Sequence, residues 1–434
     1  MRKLLCLLLF ISSSLVLADS LPIDIKIDAS KTQSSGPLQQ GFLHGLSNVN
    51  YDAKLVDTQK LKALKPTFWR IGLNHHFYHN YQLAKAINPD IKITLSVSDL
   101  LAIKKGGYGY LRPWENWLAY EADIREIIQS VIANGMHIDY WDVWSEPDTS
   151  AMWSGNCEQA MEMFHRTSMI INKMVPGGKV VGPSVSAFDS KGSCNTAFLI
   201  AFLDYLTQHK HSYDAISWHE LDTPIFLSRN VEAVREYFKH HSNIGSPEIH
   251  INEYGGPADY ESPGWAIAWL SNLESAHVDW SSLACWENGC QSGLNGLFQE
   301  NGRTPTPVYW VHEAYAKLPS NKMHVYISEK SVAILAAKDV ATESVTLILG
   351  RFEGKIPVQS MRTIRIDIEN YAFNKSHAEV SIRKISKSNL AWWPKKEPTA
   401  FKQFRAPINN GRLIFAIPNV SDGDAWIIKL NTAN

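Results

Sequence analysis

Net charge, long apolar runs, repeats and cysteine are what this sequence has least of. Its 42 Lys and Arg against 43 Asp and Glu leave a formal charge of −1. That balance gives no electrostatic footprint for nucleic acid, and none is expected as a partner. Beyond the first residues no stretch reaches about 18 uninterrupted apolar residues, so no membrane span is expected in the mature chain. There is no internal repeat and no low-complexity linker, which argues against a solenoid or loosely tethered modules and for domains that pack rigidly. Cysteine is scarce, with five in 434 residues. The spacing does not suit zinc. Cys6 lies inside the leader described next, which excludes a lipid anchor there. Four cysteines remain, Cys157, Cys194, Cys285 and Cys290. An even number in an exported chain favours disulfides, with three connectivities open. Cys285 with Cys290 would close a tight loop, and Cys157 with Cys194 would join two loops on one face.

Residues 1–18 read as a secretory signal. Arg2 and Lys3 form the positive start, residues 4–11 the apolar run, and Val16, Leu17 and Ala18 precede the cut. The expected location is secreted or periplasmic. The whole sequence is 45% hydrophobic and 20% charged, ordinary for a chain with a substantial core. Its one excess is tryptophan, 15 residues, which implies a very aromatic core or stacking platforms for ligand rings.

Residues 23–30 alternate strictly between apolar and polar and read as an antiparallel strand with one wet face. From residue 41 strand-like and helix-like runs alternate. The strands are expected at 41–46, 68–72, 91–97, 137–148, 179–184, 214–219, 248–252 and 281–286. Helical periodicity is clearest at 117–133, 159–174, 197–209, 231–240 and 265–275. Eight strands alternating with helices over about 250 residues argue an α/β fold, a (β/α)8 barrel. After residue 315 helices give way to short strands at 332–337, 344–349, 363–368, 377–383, 412–416 and 425–430, an all-β sandwich. The expected organisation is a signal at 1–18, a segment at 19–40 whose strand joins the sandwich, a barrel at 41–315 and the sandwich at 316–434.

Active sites of such barrels lie at the C-terminal ends of the strands. There the second strand carries Arg70, followed by Asn74, His75 and His76. The fourth ends in Ser145 and Glu146, the sixth in His219 and Glu220, the seventh in Glu253 and Tyr254, and the eighth in Trp286 and Glu287. Glu146 and Glu253 therefore face each other across the mouth. Two carboxyl groups in distinct states suit glycoside hydrolysis: one protonates the leaving oxygen, the other attacks the anomeric carbon or activates water. Arg70 would keep one of them ionised. Tyr254 or His219 would hydrogen-bond the nucleophile, and the indoles Trp141 and Trp144 beside Glu146 would offer faces to a sugar ring. The plain alternative for each glutamate alone is a structural salt bridge.

Trp144-Ser-Glu-Pro-Asp148 and His250-Ile-Asn-Glu-Tyr254 resemble the acid/base and nucleophile motifs of glycoside hydrolase clan A, most closely family 39. Ser217-Trp-His219 is similar to that family's motif on the sixth strand, and Trp286 falls where clan A carries a sugar platform. The family includes β-xylosidases, α-L-iduronidases and bacterial exopolysaccharide hydrolases. The resemblance implies a retaining glycosidase acting on a β-linked oligo- or polysaccharide, with Glu146 as acid/base and Glu253 as nucleophile. It implies Arg70, His75, Ser145, His219, Tyr254 and Trp286 around the substrate, and neither metal nor cofactor. His75, His76 and His79 are accordingly read as one substrate-facing imidazole with solvated neighbours. One residue departs from the pattern: Ser145 stands where the family has Asn, whose amide reaches the hydroxyl next to the anomeric carbon. That departure brings in a rival of another class, a glycan-binding barrel without turnover.

Overall fold

The computed structural model describes residues 21–433 apart from 35, 37, 45–56, 73–76, 257–261, 286–295, 300–302, 354–360, 372–374, 388–397 and 399. The expected leader at 1–18 lies outside the described residues, as do His75, Trp286 and Cys290.

Two closed β structures make up the fold. The first is a parallel barrel of β2 (Gly41–Leu43), β3 (Phe68–Ile71), β4 (Lys92–Ser96), β5 (Tyr140–Asp142), β6 (Lys179–Val185), β7 (Ala215–Glu220), β8 (Glu248–Tyr254) and β9 (Trp280–Leu283), in sequence order, closed by Phe42 against Leu283. Around it run α1 (Thr58–Ala63), α2 (Phe77–Ile87), α3 (Val97–Lys105), α4 (Trp117–Ala133), α5 (Cys157–Met174), α6 (Phe198–His209), α7 (Leu227–His240), α8 (Pro263–Ser275) and α9 (Pro307–Ala316). Each strand is buried on both faces, which is why these runs lack the alternation of an exposed strand. Outward residues such as Trp69, Ile71, Trp141 and Trp218 join the core shared with the helices. Inward residues are stacked in layers. The lowest layer is aromatic: Phe68 stacks on Trp280 at 5.6 Å, and His250 meets the edges of both Phe68 and Tyr140. Two residues further along the same strands come Arg70, Asp142, Ser217 and Asn252, so the barrel floor is apolar and its upper half polar.

The second unit is all-β. Its nine strands are β1 (Ile23–Ser34), β10 (Asn321–Ile327), β11 (Val332–Asp339), β12 (Ser344–Arg351), β13 (Arg362–Glu369), β14 (His377–Ile385), β15 (Ala400–Asn409), β16 (Arg412–Val420) and β17 (Ala425–Ala433). The early strand is inserted between β10, antiparallel, and β13, parallel, so that Ile25 is opposite both Ile327 and Ile366. Its pairing closes the ring of strands, and the expected β-sandwich, with the N-terminal strand built into it, forms a unit with its own core. The strands β10 and β15 escaped the sequence pattern. In β10 burial alternates from Met323 on, and the exception is the outward Lys322, buried in an ion pair with Glu274 at 3.0 Å.

Helix α8 is the seam between the units and packs against β11 and β12. The Gly264 amide donates to Gly423 O at 2.8 Å, and Trp265 packs on Phe352. A Cβ at Gly264 would lie 2.1 Å from Arg351 O. Only glycine permits that approach, and the backbone on both sides would have to separate for any other residue. Gly264→Ala should therefore destabilise the protein by about 2–3 kcal/mol, the usual cost of overpacking a tight contact. Urea denaturation followed by tryptophan fluorescence checks it, and an unchanged midpoint would show that the seam gives way easily.

Candidate active site

The polar half of the barrel is built around Arg70, which is 1% exposed. Its Nε and one terminal nitrogen donate to Asp142 Oδ2 at 2.9 and 2.8 Å. The other nitrogen donates to Glu253 Oε1 at 2.7 Å, and the first also reaches Ser145 Oγ at 3.0 Å. Asp142, itself fully buried, accepts a hydrogen bond from Ser184 Oγ at 2.7 Å and one from Asn252 Nδ2 at 3.0 Å. Ser184 in turn accepts from Asn252 at 2.8 Å and lies 2.7 Å from Ser217 Oγ. Burial alone would push the guanidinium down, but Asp142, Glu253 and Asp99 outweigh it and hold it above its ordinary value. It is a permanent cation in this site.

Two local backbone features aim the carboxylates. On β8 the pairing with β7 slips by one residue between Ile251 and Glu253. This bulge lets Asn252 and Glu253, adjacent in sequence, both point into the barrel, which a regular strand forbids. After β5 the chain turns with Glu146 in the left-handed region, φ 51°. Its amide donates to Ser184 O at 2.9 Å and its carbonyl accepts from the Thr149 amide at 3.0 Å. Asp148 fixes the turn from below, accepting from the Ser186 amide and hydroxyl at 2.8 and 2.6 Å. A non-glycine residue held there by its surroundings is strain of the kind concentrated at functional positions. The disulfide Cys157–Cys194 joins the two connections that flank this turn. Cys285 is disulfide-bonded as well, to a partner outside the described residues.

The two glutamates meet over His219, whose side chain is fully buried. Its Nδ1 is 3.0 Å from Glu146 Oε1 and its Nε2 is 3.8 Å from Glu253 Oε1. One oxygen of each glutamate and a nitrogen of His219 all lie within 4.8 Å of one another. Burial lowers the imidazole's proton affinity, yet Glu253 and then Glu146 more than offset it, and the ring is held above the usual histidine value. For Glu146 burial acts upward, and the hydrogen bond and charge of His219, with Arg70 behind them, bring the carboxyl below its usual value. Two carboxylates and an imidazole at this spacing are also what a metal ion would want. Here one ring nitrogen is hydrogen-bonded to Glu146, and Arg70 already supplies Glu253 with a cation.

Of the residues expected from sequence, Glu146, Glu253, Arg70, Ser145 and His219 are brought together. His75 and Trp286 lie outside the described residues. Tyr254 is not at the site: with the strand's alternation restored beyond the bulge it points outward, its ring on Trp269 and its buried hydroxyl without a hydrogen-bond partner. His219 hydrogen-bonds Glu146 rather than the expected Glu253. The indoles of Trp141 and Trp144 are core groups, 1% and 0% exposed, and offer no face to a ligand; Trp153 packs edge-on between Trp144 and Trp114. Ser145 uses its hydroxyl to accept from Arg70 and its amide to donate to Ser98 Oγ at 3.0 Å. Sequence reasoning missed Asp142, Ser184, Ser98, Asp99 and Tyr108. Asp142 was accessible through parity alone, two residues beyond the inward Tyr140. Ser98 and Asp99 sit in the first turn of α3, which follows β4 without a loop.

No family model matches the sequence, and no curated protein matches it. Solved structures do. N2152 from Neocallimastix frontalis superposes with a TM-score of 0.78 at 19% identity, covering 95% of this chain and 100% of that one. A monomeric beta-xylosidase from Caulobacter crescentus gives 0.64 at 14%, covering 95% and 100%. The family 39 (GH39) enzyme from Xanthomonas axonopodis pv. citri gives 0.64 at 13%, covering 96% and 98%. The fold, barrel and second β unit together, is like that of these structures, a GH39 enzyme among them.

Removing the central cation should be costly. Arg70→Met leaves Asp142 buried without its counter-charge and should destabilise by about 3–5 kcal/mol, with Arg70→Met/Asp142→Asn recovering part of the loss in equilibrium denaturation. The ion pair above it sets a pH dependence. A raised His219 contributes stability that is complete below its unfolded value, near 6.5, and is lost as pH rises through the folded value; a depressed Glu146 contributes above its ordinary 4.5 and loses this as pH falls. The stability difference between the native protein and His219→Asn should thus shrink as pH is raised from 6 to 9, measured by denaturation midpoints at each pH.

Proposed function

We propose that this protein is a retaining glycoside hydrolase that cleaves a β-glycosidic linkage in an oligo- or polysaccharide, with Glu253 as nucleophile and Glu146 as acid/base. The observation that carries the reading is the pair of partly exposed carboxylates whose oxygens lie within 4.8 Å. Retaining enzymes hold their carboxyl groups about 5–5.5 Å apart, and inverting ones leave room for a water between them at about 6.5–9.5 Å. The roles follow from the surroundings. Glu253 receives Arg70 at 2.7 Å, a permanent cation beside the carboxylate that would attack the anomeric carbon. Glu146 touches no permanent cation directly and has a hydrogen-bonding imidazole beside it, so it is the carboxyl that can change protonation state. Structures of similar fold include beta-xylosidases and a bacterial orthologue of alpha-L-iduronidase, which supports a glycoside as substrate.

In the first half-reaction Glu253 forms an ester with the anomeric carbon while Glu146 delivers a proton to the departing oxygen. In the second, Glu146 takes a proton from water, the water oxygen bonds to the anomeric carbon, and Glu253 leaves as carboxylate. Both displacements invert, so the configuration is retained. The protein is read as exported. The disulfide Cys157–Cys194 supports an oxidising compartment, and among the described residues no helix is long and apolar enough to cross a membrane.

One observation favours the rival of a glycan-binding barrel without turnover: in the free protein Glu146 is held ionised, the wrong state for an acid. Turnover decides between them. On a panel of aryl β-glycosides, Glu253→Ala should lose at least about 10⁴-fold in kcat. Glu146→Gln should be slowed most on poor leaving groups and little on activated ones, with the product anomer read by proton NMR. Native-rate hydrolysis by both variants would remove these residues from the chemistry. Glycan binding with no product over days would establish the binding protein instead.

A further inference from the structure

An acid catalyst must hold its proton before the reaction, and the surroundings of Glu146 lower its carboxyl below the usual value. The base in hydrogen-bond contact with it is His219. His219 is sealed from solvent, with one ring nitrogen toward each glutamate, at 3.0 Å from Glu146 and 3.8 Å from Glu253. Among the described residues its Nε2 has no hydrogen-bond partner. The charged groups that face the ring are Glu146 beyond β5, Glu253 on β8 and Arg70 on β3. Of these only Glu253 changes charge during the proposed reaction, because forming the glycosyl ester neutralises it.

We infer that His219 stores the catalytic proton and releases it to Glu146 in response to the covalent state of Glu253, which makes it a positioning residue that couples nucleophile and acid. This deepens the proposed glycosidase reading and rests on it.

The steps balance. At rest Glu253 and Glu146 are carboxylates and His219 is an imidazolium, with a net charge of −1. When Glu253 bonds to the anomeric carbon, its charge is consumed, and His219 loses an anion while Arg70 stays. The Nδ1 proton crosses the 3.0 Å hydrogen bond to Glu146 as the glycosidic C–O bond breaks and the Glu146 carboxyl gives a proton to the leaving oxygen. Glu146 is then a carboxylate beside a neutral ring, and the net charge is still −1. In the second half-reaction Glu146 takes a proton from water, the water oxygen attacks the anomeric carbon and the ester C–O bond breaks. The restored Glu253 anion draws the proton back onto Nδ1. The acid is thereby ionised when a base is needed and protonated only while the leaving group departs.

The test needs no substrate, so it stands apart from the glycosidase reading, which turnover by the glutamate variants decides. In protein labelled with ¹⁵N-histidine, the His219 ring signals are assigned by their loss in His219→Asn and titrated by NMR. In the native protein the ring should remain an imidazolium well above pH 6.5, the ordinary histidine value. Glu253→Gln, an isosteric neutral mimic of the ester, should lower the midpoint by at least about one pH unit, a tenfold loss of proton affinity. Glu146→Gln should lower it too and tests the hydrogen-bonded half of the device independently of how well Glu253→Gln folds. A native ring that is neutral at pH 6.5 overturns the proposal. So does a midpoint that Glu253→Gln leaves in place while Glu146→Gln moves it, since the ring would then answer only to its hydrogen-bond partner.

Discussion

A guanidinium sealed inside a barrel must be answered by anions, and the ion pair of Arg70 with Asp142 governs what can be built above it. Asp142 supplies one full negative charge below the mouth and is saturated there by Ser184 and Asn252. That leaves one arm of the guanidinium directed upward, where it meets Glu253. Buried ion pairs of this kind contribute little net stability, because desolvation offsets most of their attraction. What they supply is a fixed orientation and a fixed charge. The carboxyl group above is anchored to that charge by a 2.7 Å hydrogen bond.

The layering of the barrel makes this affordable. Below the ion pair lie Phe68, Tyr140, His250 and Trp280, which fill the lower half of the interior. The polar network therefore has an apolar floor and is open only toward the mouth. Electrostatic interactions strengthen in such a setting, and each carboxyl group has a basic neighbour of its own, Arg70 for Glu253 and His219 for Glu146.

The fold was legible in the sequence because the eight barrel strands are short apolar runs separated by amphipathic helices, and because residues 23–30 alternate too regularly to belong to a parallel sheet. The two glutamates were legible because each ends a strand. What stayed hidden depended on contacts between distant segments. Asp142 looks like any acid in an aromatic run until the inward face is known. Ser184 is connected to Glu146 only through pairing of β5 with β6. The outward direction of Tyr254 stayed hidden for a related reason. A bulge at Asn252 decides which of the residues after it face inward, and a bulge has no signature in a single sequence. The strand β15 stayed hidden because its run, with Pro407 inside it, lacks a clean alternating pattern.

The strand β1 sits between partners some 300 residues away, with Ile25 opposite Ile327 and Ile366. Read as a matter of timing, the first strand to be synthesised is among the last that can be placed. The parallel barrel's strands and helices are all in the chain by Ala316, before either neighbour of β1 exists. Until residues 321–369 emerge, β1 is an apolar edge with nothing to pair with, and such long-range pairing is slow. An exported chain would have to keep those residues from pairing elsewhere for the whole of its passage. Beside the strand's early position, its charged outward residues, Asp24, Lys26 and Asp28, acquire a purpose before folding as well as after it: they discourage association of a strand that has to wait.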